Sequence, residues 1–187
     1  MRNSLALTVL AGFALLTGCS EQPPVPAPGP VPPVVTSAAV PAPAVPKSAD
    51  DALASRDARL TVTGVHLEHL PGVDRVIYEL GGAGVPGWQV QYTGQALQDG
   101  SGTPLPVAGR SVLEVRILGS AYPWDSGVDE YDGPDPVTDA GVPGIAGVYG
   151  TQVYEGVTQS FIGVQADRPA YTVSGDPARL VVEIATA

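Results

Sequence analysis

Cysteine, histidine and basic side chains are scarce in this chain, and each scarcity removes a class of explanation. A single cysteine, Cys19, leaves no disulfide to staple a fold, so any domain must rest on its own core. Two histidines and no G-x-S-x-G motif leave little from which to build a nucleophile with its base, and GVTQSFIG at 156–163 does not match that motif. No catalytic residue and no cofactor is expected, and the chain reads as a non-enzyme. Nine Lys and Arg against 19 Asp and Glu give a formal net charge of −10, which argues against nucleic acid as a partner and against direct contact with anionic lipid headgroups. The apolar run LALTVLAGFALL, residues 5–16, falls short of the roughly 20 residues that span a bilayer. No stretch of ten or more residues carries helical spacing, which argues against an α-helical domain.

What is present begins with an address. Arg2 supplies the positive charge ahead of the apolar run, the arrangement of a signal peptide over residues 1–18. The run stops at Leu16-Thr17-Gly18-Cys19, which resembles the lipobox of bacterial lipoproteins. The resemblance implies that Cys19 becomes the first residue of the mature chain and carries a diacylglycerol on its thiol. Each buried CH₂ of such chains contributes about 0.8 kcal/mol, so two or three chains hold a protein to the outer face of a cell membrane. Ten of the 20 prolines then fall within residues 20–48, without periodicity or an aromatic ring, and residues 19–56 read as a tether. Repeated proline favours the polyproline II helix, whose rise of about 3.1 Å per residue gives a reach on the order of 90 Å if extended throughout.

Residues 57–187 are long enough for one domain with its own core. Short segments of period-2 alternation lie between Gly, Pro and Asp: ARLTVTGV, DRVIYEL, GWQVQYT, SVLEVRIL, GVYGTQVY, TQSFIGV, PAYTV and ARLVVEI. Side chains two apart share a face of a strand, so Val76, Tyr78 and Leu80 oppose Arg75, Ile77 and Glu79. Leu113, Val115 and Ile117 likewise oppose Glu114 and Arg116, and Leu180, Val182 and Ile184 oppose Arg179, Val181 and Glu183. About eight half-buried antiparallel strands predict an all-β sandwich or small barrel. QDGSGTPLP, residues 98–106, reads as a turn that would let GWQVQYT and SVLEVRIL pair as a long-looped hairpin.

The order of DRVIYEL, PGWQVQY, YEGVTQSFIGV and PARLVVEI, with the intervening DGSGTPLPVAGRSVLEVRILGSAYPWDSGVDEY, resembles the AMIN-like domain of actinobacterial lipoproteins. That resemblance implies a single antiparallel β-sandwich. It also implies a non-enzymatic module of the cell envelope that binds or localises to peptidoglycan or another cell-wall glycan, or else an adaptor that binds another envelope protein.

Candidate binding residues follow from the rings and charges. The segment 122–139, YPWDSGVDEYDGPDPVTD, sets Tyr122, Trp124 and Tyr131 beside Asp125, Asp129, Glu130, Asp132, Asp135 and Asp139. Rings stack on the apolar faces of pyranoses while carboxylates accept hydroxyl hydrogen bonds, so Tyr122, Trp124, Asp125 and Tyr131 are candidates for a glycan surface. The same oxygens suit Ca²⁺, but their spacing does not follow the EF-hand pattern, and no metal is assigned. Trp88 and Tyr92 share a strand face and serve either as core or as a further platform. Arg75 and Arg179 lie on the polar sides of their strands, as ion-pair partners of carboxylates such as Asp74 and Glu183 or as anion-recognising groups. His66, Glu68 and His69 are not expected to hold a metal, because positions three apart on a strand face opposite sides.

Overall fold

Alternation of apolar and polar residues dictates most of what the computed structural model describes, residues 51–186. The strands are β1 (Asp51–Ala52), β2 (Arg59–Leu70), β3 (Val73–Ala83), β4 (Gly87–Thr93), β5 (Ser111–Leu118), β6 (Ile145–Tyr154), β7 (Val157–Val164), β8 (Tyr171–Asp176) and β9 (Arg179–Ala185), with one four-residue helix, α1 (Pro123–Ser126). They form two antiparallel sheets, one of five strands in the order β1-β4-β5-β7-β6 and one of four in the order β2-β3-β9-β8. The fold is an all-β sandwich. Cys19, the lipobox and the proline-rich stretch lie outside the described residues. β1 lies within the stretch 19–56 read as tether, and its Asp51 and Ala52 pair with Gln89 and Trp88 of β4.

The core lies between the sheets. Val76, Tyr78, Leu113, Val115, Ile117, Leu180 and Val182 are fully buried there, each on the face its alternation assigns. At about 25 cal/mol per Å² of apolar surface removed from water, such side chains supply most of the drive to fold. Tyr78 crosses the interior from β3 and donates its hydroxyl to Ser160 Oγ of β7 at 3.1 Å, so burying its polar end strands no donor. GWQVQYT and SVLEVRIL do pair as a hairpin, from Gly87 opposite Leu118 to Thr93 opposite Val112.

The two outer faces differ. The long β4–β5 connection, 94–110, folds back over the five-stranded sheet. Gln159 Nε2 donates to Leu97 O at 3.1 Å, Asp99 N donates to Gln159 Oε1 at 2.8 Å, and Ala108 N donates to Tyr149 Oη at 3.2 Å. Phe161, which points away from the sandwich core, is 1% exposed, and Ala96 within the connection is also buried. Among the described residues the four-stranded sheet has no such cover over most of its length. Its outward positions run in rows fixed by register: Glu68, Arg75, Glu183 and Thr172; His66, Ile77, Val181 and Ser174; Gly64, Glu79, Arg179 and Asp176.

Candidate functional site

Pro123 opens α1 with its ring-fixed φ, and Gly127 closes it in the left-handed region at φ 77°, donating its N–H to Pro123 O at 2.9 Å. Four residues make no stable helix alone. Anchors to β2 hold this one: Thr61 Oγ1 donates to Ala121 O at 2.8 Å and shares a hydrogen bond with Ser126 Oγ at 2.7 Å, and Tyr131 N donates to Val62 O at 2.8 Å. Thr61 and Gly81 are opposed in register and both point outward, so α1 and its following turn sit on one end of the four-stranded sheet. Gly81 makes the approach possible, since a Cβ there would lie 3.0 Å from Val128 Cγ2.

On this support Tyr122 and Trp124 stack with their planes 10° apart and centroids 4.6 Å apart. Trp124 is 77% exposed, and Asp125 beside it is also exposed. The arrangement is a two-ring platform whose position is fixed by backbone hydrogen bonds. Tyr131 behaves differently: it is half-buried against the core and donates its hydroxyl to Pro134 O at 2.9 Å. Burial, reinforced by Asp135 and then Asp132, raises its pKa. The acids of this segment disperse to separate tasks. Asp135 accepts from Gly150 N at 3.1 and 3.2 Å, and Asp139 accepts from Gly141 N at 2.7 Å. Among the described residues no three His, Cys, Asp or Glu side chains converge as a metal site.

Arg75 occupies the same outward side of the same sheet. Its Nε and Nη2 approach Glu183 Oε1 at 2.7 and 2.6 Å, and Nη1 lies 3.6 Å from Glu68. The hydrogen bond to Glu183 holds its pKa above the ordinary arginine value. Arg179 meets Asp176 Oδ2 through Nε at 3.3 Å. Asp176 is held below the ordinary carboxylate range chiefly by the N–H of Ala178, with the Arg179 hydrogen bond and charge adding to it. The Arg75–Glu183 pair matches the ion-pair reading, whereas Asp74 turns inward instead. It is fully buried, bonded to His69 Nδ1, and accepts from Gly144 N at 2.7 Å. His66 pairs with Glu79 at 3.3 Å, so the two histidines serve different carboxylates.

Trp88 is not brought to that side. It points into the sandwich from β4 and packs on the core, with its ring against Gly175 of β8, where a Cβ would lie 2.8 Å from Trp88 Cζ3. Tyr92, on the same face, donates to Pro169 O at 2.7 Å and meets Tyr171 edge-on at 5.6 Å. Burial pushes its pKa up to about 12. The structure therefore sets Tyr122, Trp124 and Asp125 at one end of the outward side, places Arg75 farther along β3 on that side, and leaves Trp88 between the sheets. Asp74, named from the sequence as an ion-pair partner of Arg75, is the residue whose burial sequence reasoning missed. Its parity with Val76 and Tyr78, which points it inward, was the available signal.

Residues 60–186 match the AMIN-like domain family. No curated protein and no solved structure matches the chain.

Proposed function

The chain belongs to the AMIN-like domain family, and from that premise we propose a non-catalytic β-sandwich module of the extracytoplasmic envelope that binds cell-wall glycan. A lipid anchor on Cys19 attaches it to the outer face of the cell membrane, and residues 19–56 serve as the spacer between anchor and domain. The observation that carries the glycan reading is Trp124, 77% exposed and stacked on Tyr122. A large ring left in water costs solubility and does nothing for the core, whereas a pyranose laid on it replaces that water with contact. Asp125 stands beside the platform to accept hydroxyl hydrogen bonds.

Retention on purified peptidoglycan tests this reading. Wild type is expected to sediment with the wall, and Trp124→Ala to lose most of that retention with an unchanged melting temperature. Full retention of Trp124→Ala would remove the platform from the site. A stoichiometric envelope protein that co-purifies, without retention on the wall, would replace the glycan reading by that of an adaptor.

A further inference from the structure

The outward side of the four-stranded sheet carries a second feature, independent of the rings at its end. A cleft of about 380 Å³ lies across it, lined by Glu68, Arg75, Ile77, Asp176, Arg179 and Val181 among others. Ile77 and Val181 are opposed in register and give the cleft an apolar floor. Charges of both signs stand around that floor.

Two of those charges have capacity to spare. Among the described residues Arg179 spends only Nε, on Asp176 at 3.3 Å, and its side chain is 58% exposed. Its terminal Nη1 and Nη2 have no acceptor among the described residues. That planar pair of donors is the geometry that grips a carboxylate through two parallel hydrogen bonds. At the other end Glu68 has Arg75 as its partner at 3.6 Å, beyond hydrogen-bond range, and is 48% exposed. It is a carboxylate available to an ammonium group.

The spacing of these ends sets the size of what fits. Glu68 lies in the Arg75 row on β2, and Arg179 lies two strands across and four residues along β9. With about 4.8 Å between strands and about 3.3 Å per residue, the diagonal is roughly 16 Å. An extended chain covers that distance in about four or five residues at roughly 3.3–3.6 Å each.

We propose that this cleft binds the peptide of the wall polymer in its free form, cut from the sugar so that its terminal amine is exposed: an extended peptide of about four residues, its carboxylate on Arg179 and its free amine toward Glu68. The proposal rests on the envelope reading above and deepens it. Neutral sugar hydroxyls would leave the free guanidinium edge without a counter-charge, and the net charge of −10 disfavours a polyanion. A short peptide bearing both signs satisfies both ends of the cleft and lays its backbone on Ile77 and Val181.

The probe is the synthetic tetrapeptide alanyl-γ-glutamyl-diaminopimelyl-alanine, free of sugar, titrated calorimetrically into the full chain. Wild type is expected to bind it, more weakly at high salt. Arg179→Lys keeps the charge but loses the fork, and is expected to weaken binding about tenfold. Glu68→Gln weakens it as well, while Arg110→Gln, an exposed arginine ahead of β5, changes nothing. All variants should share the wild-type melting temperature, because these side chains are exposed. If the peptide fails to bind while peptidoglycan still retains the protein, this inference is overturned and the envelope reading stands. Failure of both overturns both. Peptide binding indifferent to Arg179→Lys and Glu68→Gln overturns the cleft as its site, and so does an envelope protein whose capture those two substitutions abolish.

Discussion

The two tryptophans are chemically identical and physically opposite, and their truncation separates the roles. Trp88 fills space between the sheets against Gly175, so Trp88→Ala is expected to cost about 3 kcal/mol in denaturant unfolding by leaving a cavity. Trp124→Ala removes a ring that is 77% exposed and is expected to change stability by less than about 0.5 kcal/mol. Asp74 is a third kind of residue, a fully buried carboxylate whose removal leaves the N–H of Gly144 and the His69 ring without their acceptor. Asp74→Ala should therefore destabilise the domain by about 3 kcal/mol, and a melt beyond 1 kcal/mol of wild type is the least that this account requires. Tyr92 gives a pH signature. Its pKa rises from 10.0 unfolded to about 12 folded, so the neutral ring is the form the fold prefers. Its contribution is complete below pH 10 and is lost as pH climbs through 12. Tyr92→Phe should lose about 1 kcal/mol at neutral pH with the bond to Pro169 and should show a shallower decline in stability between pH 10 and 12.

At the scale of elements, period-2 alternation made eight of the nine strands legible, because most of them bury one face and leave the other more exposed, with β7 buried on both. DRVIYEL, SVLEVRIL and ARLVVEI could be assigned side chain by side chain. Two elements escaped for physical reasons. β1 has two residues, too few for any period, and exists only because β4 presents an unpaired edge to it. The β4–β5 connection buries its Ala96 through contacts set by a fold-back and not by any periodicity, so nothing in its sequence announced a cover. That omission hid the asymmetry that, among the described residues, covers one sheet and not the other. The candidate site was half legible: the aromatic and acidic composition of 122–139 pointed to Trp124, while the alternation of GWQVQYT set Trp88 with Val90 and Tyr92 against Gln89 and Gln91, which favoured core for Trp88 but left a platform open. The pairing of β1 with β4 yields a prediction. Deleting residues 1–50 should leave a cooperative β domain. Deleting through Arg56 should lower its stability by about 1–2 kcal/mol, since the β1 pairing and the bonds of Ser55 with Val85 at 2.9 and 3.0 Å are lost together. Equal melts for the two fragments would mean that β1 contributes nothing to the fold.

For the molecule as a whole, the proposed anchor and the proposed binding face must act at a distance from each other, and charge gives a reason. A chain of net charge −10 is repelled by an anionic membrane surface, and the repulsion decays over about 8–10 Å at physiological salt. A proline-rich spacer of the proposed kind carries the acidic domain well past that range, so the lipid can hold the protein while the domain meets the wall. Cys19→Ala separates the two functions, because it removes the acylated thiol without touching any residue of the domain. The variant is expected to leave the membrane fraction, whereas wild type should require detergent for extraction. Retention of the variant on purified peptidoglycan should equal that of wild type. Wild type found free in the medium with an unmodified Cys19 would sink the anchor and leave the domain's binding untouched. A Cys19→Ala protein that loses the wall as well would mean that binding depends on membrane attachment, against the independence on which this arrangement rests.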